Sequence, residues 1–217
     1  MTPLRRIALT AVAAPLALAL AACGSDEQAA EGPPTGEPIA HVAPPAGTSW
    51  AETATVTPED GYRIGNPDAP LKLVEYASHT CPACAAFSTS GAAALDRYVE
   101  TGVVSYEIRN QVHNALDLTL AMLARCGEPA TFHPLANQVW ANLPEVMNRA
   151  QQNEAALNQA MQCLADPALG EAILERSSSQ SEELDVTGTP TFFLNGRKLE
   201  ENNWEALEPI LQNAGAR

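Results

Sequence analysis

Apolar and polar residues along this chain follow two periods, and these periods predict the order of its strands and helices. Residues 71–77 form a short, mostly apolar run, which predicts a buried strand. Apolar residues alternate in the segment 103–108, so this segment predicts a second strand, parallel to the first. Between them, residues 82–99 predict a helix that carries on one face Phe87, Gly91, Leu95, Tyr98 and Val99.

The second half of the chain predicts a helical region, a hairpin and a last helix. Residues 115–183 show only helical patterning and are too many for a loop, so they predict a helical subdomain inserted at about residues 112–183. Asn195-Gly196 lies between two short strand-like segments and is typical of a type I′ hairpin turn. The last helix would carry on one face Trp204, Leu207, Ile210 and Leu211.

The predicted order is therefore β-α-β, helical insertion, β-β-α, an α/β fold within residues 50–217. Residues 50–57 predict an additional edge strand, and residues 61–70 predict turns. Residues 23–49 are rich in Gly, Pro, Ala and acidic residues without hydrophobic periodicity, which predicts a flexible tether.

The N-terminus resembles a bacterial lipoprotein signal. Arg5 and Arg6 precede an apolar run over residues 7–22, which is too short for the roughly 20 residues of a spanning helix. Leu20-Ala21-Ala22-Cys23 ends this run, so we expect residues 1–22 to be removed and Cys23 to carry a lipid. A plain secretory signal cleaved nearby is the alternative. Both alternatives predict export, and the first predicts a periplasmic domain anchored to a membrane.

The balance of charge excludes one class of partner. The formal net charge is −14, and loss of residues 1–22 would remove two arginines and make it more negative. An acidic surface repels nucleic acid and anionic lipid headgroups, so neither is an expected partner.

Cys81-Pro82-Ala83-Cys84 is the motif that carries candidate chemistry. Two cysteines three residues apart at the start of a helix can close a small ring without moving the backbone. Cys81 would lie at the helix N-terminus, where free N–H groups and the helix dipole stabilise a thiolate. A thiolate of low pKa is both a nucleophile and a good leaving group. The spacing is also compatible with half of a zinc site or an inert disulfide. The histidines His41, His79, His113 and His133 are scattered singly, which disfavours zinc.

The motif and a later segment together resemble a thioredoxin-fold protein of the DsbA-like type. The later segment, residues 186–196, is Val-Thr-Gly-Thr-Pro-Thr-Phe-Phe-Leu-Asn-Gly, and the resemblance covers about residues 61–214. It implies the thioredoxin fold with a helical subdomain inserted between its two halves, and the activity of a thiol–disulfide oxidoreductase. It also implies that Pro190 is a cis-proline facing the nucleophilic cysteine and that Thr189 offers backbone hydrogen bonds to substrate.

Glu75 lies inside the first predicted strand, six residues before Cys81. The resemblance matches it to the buried acid that is thought to move the proton of Cys84 in this family. Burial would raise its pKa towards neutrality, which suits proton transfer. A water-exposed glutamate on an edge strand is the alternative.

One position departs from the DsbA oxidases. Ala83 stands where they have a histidine, and a cationic imidazole would stabilise the thiolate. The alanine therefore puts a strongly oxidising potential in doubt. His79 is a partial substitute, although we expect it to lie in a solvent-facing loop.

Apart from Cys23, four cysteines remain, and an even number leaves no orphan thiol. Cys126 and Cys163 each lie near the end of a predicted helix. We interpret them as a structural disulfide, which would stabilise the fold by about 4 kcal/mol in the chain-entropy model. A second redox pair is the alternative.

The function predicted from these residues is dithiol–disulfide exchange with exported protein substrates. Cys81 and Cys84 exchange the disulfide, Pro190 and Thr189 dock the substrate, and Glu75 handles the proton. We expect an oxidase that is reset by a membrane redox partner, requires no cofactor or metal, and is monomeric because only a tether precedes the domain. A reductase or isomerase kept reduced by a membrane partner is the first alternative.

A Cu(I) carrier with the thioredoxin fold is the second alternative, because soft thiolates select this ion. Such carriers usually place methionine or histidine beside the thiolates. In this chain Met122, Met147 and Met161 all lie in the predicted helical insertion.

Overall fold

The computed structural model of the protein describes residues 36–152 and 167–217. This part of the chain contains six strands and six helices. In order they are β1 (Ala54–Val56), β2 (Tyr62–Ile64), β3 (Leu71–Ala77), α1 (Pro82–Glu100), β4 (Val104–Asn110), α2 (Ala115–Arg125), α3 (Pro129–Ala141), α4 (Leu143–Gln152), α5 (Pro167–Glu183), β5 (Thr191–Leu194), β6 (Arg197–Lys198) and α6 (Trp204–Asn213).

The strands form one mixed sheet in the order β1-β2-β4-β3-β5-β6. β3 and β4 pair in parallel, as the sequence predicts, and the other neighbours pair antiparallel. β3 therefore lies between β4 and β5 at the centre of the sheet. Glu75 of β3 pairs with Ile108 on one side and with Phe192 on the other, which places its side chain in the core.

The Cys81-Pro82-Ala83-Cys84 motif begins the helix that covers this sheet. α1 packs its apolar residues against the sheet and against α3 and α6. Gly91 lets α6 approach closely, since a Cβ at this position would lie 2.9 Å from the Trp204 Cβ. The predicted helix face, with Leu95 and Val99, is buried as expected.

The helical insertion and the hairpin are confirmed. Helices α2 to α5 lie between β4 and β5, and Ala121, Met122 and Ile173 form a small core between α2 and α5. Asn195 and Gly196 have φ values of 50° and 80°, the left-handed pair that a type I′ turn requires. The order is thus the thioredoxin fold with its inserted subdomain.

Two segments differ from the sequence prediction. Residues 61–70, predicted as turns, contain β2, a strand of three residues that is too short to show a period. The predicted tether, residues 23–49, is not free over its described half, 36–49. There the backbone N–H of Ile39 donates to Gly215 O (3.0 Å), the N–H of Val42 donates to Thr101 O (2.9 Å), and the Trp50 indole donates to Val42 O (2.6 Å).

These hydrogen bonds bind residues 36–49 to the C-terminal end and to the end of α1, and Ile39 packs on the main core. The composition of the segment did not show this, because its partners lie far away in sequence. Among the residues that the structure describes, no helix has both the length and the hydropathy needed to cross a membrane. The predicted signal, residues 1–22, and the lipidation residue Cys23 lie outside them.

Candidate redox-active site

The start of α1 and the loop before it position Cys81. Cys81 is the N-cap of α1 with an extended backbone (φ −84°, ψ 121°), and Pro82 occupies the first turn, where a missing N–H costs nothing. Asp117 of α2 holds the preceding loop, because it accepts hydrogen bonds from Ser78 Oγ (2.6 Å) and from the His79 backbone N–H (2.7 Å). The insertion therefore anchors the loop that presents the nucleophile.

The Cys81 thiol is half-buried and strongly acidic. Its pKa is lowered to about 5, mainly because the Cys84 thiol hydrogen-bonds to it. Partial burial opposes this effect. Hydrogen bonds from the backbone N–H groups of Cys84 and Ala83 lower the pKa further. The predicted thiolate at a helix N-terminus thus has neutral donors and no adjacent histidine.

Cys84 has the opposite environment. Its side chain is fully buried, and its pKa is raised because it donates its hydrogen bond to Cys81. Burial and the charge of Glu75 raise the pKa further. At neutral pH, Cys81 is therefore a thiolate and Cys84 is a thiol, which divides the pair into a nucleophile and a resolving residue.

The Thr189-Pro190 segment faces Cys81, as the resemblance implied. The Thr189–Pro190 peptide bond is cis, and Pro190 is buried. The Thr189 carbonyl oxygen lies 3.2 Å from Cys81 Sγ, which donates to it when protonated. β5 follows immediately, so this backbone is held at the edge of the site by the sheet.

Glu75 is fully buried, so the alternative of an edge-strand glutamate in water is wrong. Burial raises its pKa to about 8, and the charge of Cys81 adds to this. A hydrogen bond from the Tyr106 hydroxyl to Glu75 Oε2 works in the opposite direction. Within the described residues, Glu75 Oε1 has no hydrogen-bond partner. At pH 7 the group is mostly a neutral acid that can give or take a proton.

The solvent-facing position expected for His79 is wrong. The ring is 1% exposed and stacks on Trp140, with 5.8 Å between the ring centroids. Burial lowers its pKa to about 4, and the charge of Arg125 adds to this. His79 is therefore neutral at pH 7 and does not replace the missing cation at Ala83.

Two residues of the site were missed by sequence reasoning, Tyr106 and Asp117. The alternation in residues 103–108 places Tyr106 on an apolar face, but only the strand register puts it diagonally across from Glu75, since Tyr106 pairs with Leu73. Asp117 is buried at the start of α2, where it accepts from the His113 N–H, and Asn114 caps the same turn. An acid three residues after Asn signals only a helix start.

Of the second predicted cysteine pair, only Cys126 lies among the described residues. Cys126 ends α2 with a free thiol that donates to Met122 O (3.1 Å), and Cys163 lies outside the described residues. Their disulfide stays a prediction. In residues 36–152 and 167–217, no three His, Cys, Asp or Glu side chains cluster closely enough to hold a metal ion.

The protein has a thioredoxin fold with an inserted helical subdomain, and its paired cysteines lie opposite a cis-proline. These features together place it in the class of thioredoxin-fold dithiol proteins. A sequence model described as thioredoxin matches residues 57–213, and the chain belongs to this family.

Similar proteins agree with the DsbA-like resemblance. A curated protein of Rickettsia bellii, named "Putative protein-disulfide oxidoreductase", is 25% identical over 168 residues, which is 72% of this chain and 65% of that protein. A Rickettsia typhi protein with the same description is 28% identical over 163 residues, 70% of this chain and 60% of that protein. The chain thus spans less than two thirds of the length of these relatives.

Solved structures show the same fold. The protein-disulfide isomerase of Novosphingobium aromaticivorans superposes with a TM-score of 0.64 at 24% identity, covering 70% of this chain and 95% of that one. Alpha-DsbA1 of Wolbachia pipientis superposes with a TM-score of 0.58 at 21% identity, covering 70% and 89%.

We predict that Glu75→Gln stabilises the reduced protein in a pH-dependent way. A carboxyl group with a pKa of about 8 when folded and about 4.3 when unfolded binds more protons in the folded state between these values, so its contribution to stability falls as pH rises through this window. The gain in free energy of unfolding should be near zero below pH 4 and roughly 3 kcal/mol at pH 7.

Urea unfolding at a series of pH values measures this difference. The exposed Glu205→Gln controls for the loss of one charge. A gain that does not vary with pH would show that Glu75 is ionised in the folded protein.

Proposed function

We propose that this protein catalyses thiol–disulfide exchange with protein substrates through Cys81 and Cys84. The observation that carries the proposal is the opposite acidity of the two thiols, with the Cys81 pKa about 5 and the Cys84 pKa raised, beside the open Thr189 carbonyl. The names of the Rickettsia relatives support the same class of activity.

The exchange follows from these positions. A substrate thiolate attacks Cys81 Sγ, the Cys81–Cys84 bond breaks, and the electron pair goes to Cys84 Sγ. Cys84 then takes the proton of Glu75, because a buried thiolate beside a carboxyl group is strongly disfavoured. A second substrate thiolate attacks the substrate sulfur of the mixed disulfide and releases Cys81 as a thiolate. The substrate loses two electrons and the protein gains them.

The substrate chain would be docked at Thr189. Its carbonyl group stands at the rim of the site beside Cys81, where an extended peptide can pair with it. Pro190 fixes the direction of this backbone. Pro82 and Ala83 are exposed and uncharged, so the surface next to Cys81 places no charge requirement on the substrate.

The direction that we propose is oxidation. A low pKa of the attacked cysteine stabilises the reduced form and makes the disulfide more oxidising. At Cys81, hydrogen bonds from the Cys84 thiol and from the N–H groups of the helix N-terminus supply the stabilisation that a histidine at Ala83 would have given. A membrane redox partner would then remove the electrons. The reductase or isomerase alternative uses the same residues in reverse.

The location that we propose is the periplasm, with a lipid on Cys23 as the anchor. The supporting observation is the sequence Leu20-Ala21-Ala22-Cys23 after an apolar run. Twelve residues, 24–35, separate Cys23 from the part of the chain that is bound to the domain. Fully extended, they would reach roughly 40 Å.

We predict that Cys84→Ala traps the mixed disulfide. With a peptide disulfide as substrate, Cys81 of this variant still attacks, but no second thiol is available to resolve the bond. Non-reducing electrophoresis and mass spectrometry should show a covalent complex with Cys84→Ala, none with Cys81→Ala, and normal turnover with the wild type. Failure of the Cys84→Ala variant to form a complex would contradict thiol–disulfide exchange.

We predict that the reduction potential of the Cys81–Cys84 pair lies closer to that of DsbA, about −120 mV, than to that of thioredoxin, about −270 mV. Because Cys81 loses its proton at about pH 5, the potential should fall by about 59 mV per pH unit below that value and by about 30 mV above it. Glutathione buffers with alkylation and mass spectrometry measure both, with Cys126 and Cys163 scored separately. A value near −270 mV would favour the reductase. Protection of both thiols by Cu(I) alone would favour the copper carrier.

We predict that Cys23→Ser abolishes lipid attachment. In a bacterial host fed labelled palmitate, the wild-type chain should carry the label and sediment with membranes, whereas the variant should lose both properties. The matched variant Cys126→Ser should keep them. An unlabelled wild-type chain with a new N-terminus near residue 22 would favour the plain secretory signal.

A further inference from the structure

A cavity of about 100 Å³ lies behind α1, between this helix and α3. Tyr106, the residue that hydrogen-bonds to Glu75, forms part of its wall. The other polar or small residues that line it include Ser88, Ala92, Asp96, His133 and Asn137. Since a water molecule needs only about 10–15 Å³ of such volume, the cavity can admit several.

Tyr106 is the link between this cavity and the candidate site. Its hydroxyl donates to Glu75 Oε2, while its ring packs edge-on against His133 at 5.3 Å between centroids. The two carboxyl oxygens of Glu75 therefore differ in their hydrogen bonding. Oε2 is held by Tyr106, and Oε1 has no partner among the described residues and is free for the proton of Cys84.

Asp96 gives the cavity a polar mouth. This residue of α1 is exposed to solvent, yet partial burial raises its pKa and its charge reaches Tyr106. Deeper in the wall, Ser88 Oγ donates to Asn137 Oδ1 (2.9 Å). The cavity wall therefore carries the exposed Asp96, the Ser88–Asn137 pair and Tyr106 among apolar residues.

Of the titratable groups around Glu75 and the cavity, Tyr106 is the candidate for transferring a proton to Glu75. Cys81 and Cys84 face Glu75 from α1, and β5 contributes the apolar Phe192. From α3, His133 Nε2 donates to the Tyr62 carbonyl oxygen (2.8 Å), and burial lowers its pKa to about 4, so it is neutral at pH 7. Burial and Glu75 raise the Tyr106 pKa well above its ordinary value, so Tyr106 keeps its proton and acts as a donor.

A rear path would solve a problem that the exchange creates. Cys84 is fully buried, and in the mixed disulfide the substrate covers Cys81 and the Thr189 rim. Glu75 must nevertheless regain or lose one proton in each cycle. With a pKa of about 8, Glu75 that has given its proton to Cys84 takes up another at pH 7, and a path that avoids the covered face lets this happen while substrate is bound.

We propose that Glu75 exchanges its proton with solvent through the Tyr106 hydroxyl and the cavity behind α1, with Asp96 at its mouth. The inference rests on the proposed function. In each transfer the Tyr106 oxygen passes one proton to Glu75 Oε2 and takes one from water in the cavity, or the reverse. One proton moves, and no electrons do. Because Tyr106 takes up one proton as it gives one, it stays neutral and serves as the gate of this path.

The first test fills the cavity. Ala92→Leu places a larger side chain inside it, and Ala93→Leu makes the same change at an exposed position of α1 that does not line it. With a peptide disulfide as substrate, Cys84 resolves the mixed disulfide only after Glu75 has lost its proton and can take that of Cys84. This single-turnover step should slow about tenfold in Ala92→Leu, with a larger solvent deuterium isotope effect. The reduction potential should stay at its wild-type value, because a path changes a rate and not an equilibrium. Ala93→Leu should match the wild type in all three.

The second test removes the gate. Tyr106→Phe deletes a hydrogen bond that lowers the Glu75 pKa, so the pH midpoint of resolution should move to higher pH and the isotope effect should rise. Tyr76→Phe is the matched control, since Tyr76 is equally a buried tyrosine of the sheet but bonds to Arg109. It should leave the midpoint unchanged. Should Ala92→Leu fail to fold, this pair carries the test.

A third measurement does not need catalysis. The infrared C=O band of protonated Glu75, assigned by its loss in Glu75→Gln, shifts when the protein is transferred to D₂O. This shift should be slower in Ala92→Leu and Tyr106→Phe than in the wild type. Equal rates in all variants, with unchanged resolution kinetics, would overturn the proton path. A wild type that exchanges the Glu75 proton but forms no mixed disulfide would overturn the proposed function instead.

Discussion

The candidate site depends on the burial of one carboxyl group in the central strand. Glu75 occupies a core position of β3, with β4 and β5 on either side and α1 above, and burial raises its pKa to about 8. A leucine would fill such a position at lower cost to stability. The helix above begins with the cysteine pair, and the charge of Glu75 reaches Cys84. The same packing that makes α1 a rigid platform therefore places a proton donor directly beneath Cys84.

The start of α1 sets the two thiols apart. Spacing of three residues leaves Cys81 at the N-cap, half-exposed and surrounded by donors, and turns Cys84 inward over Glu75. The hydrogen bond between the two thiols increases the difference in their acidity, because it lowers the pKa of Cys81 and raises the pKa of Cys84. Since the donors at Cys81 are neutral, its thiolate depends on hydrogen bonds, above all the one from the Cys84 thiol, and not on an ion pair. Salt would therefore screen it less than it would screen a thiolate paired with a histidine cation.

Local patterns in the sequence were enough to predict β3, α1, the hairpin and the insertion, because each depends on residues close together in the chain. The same holds for the cysteine pair. His79 was misplaced because its burial is decided by Trp140 and Asp117, which arrive from the insertion. Segment 36–49 was misjudged for the same reason, since its partners are at the C-terminal end. Composition describes a segment alone, whereas burial is a property of what packs on it.

Tyr106 is a residue whose structure could be predicted from the sequence but whose contact in the site could not. Its alternation predicts a strand and an inward side chain, and both are correct. Its role depends on a diagonal contact with Glu75 that is fixed by the register of two parallel strands separated by a helix. A shift of one residue would turn Tyr106 to the other face and leave Glu75 without a donor. The register therefore matters to the chemistry as much as the cysteines do, because it gives the buried acid a donor and brings that donor to the wall of a cavity behind α1.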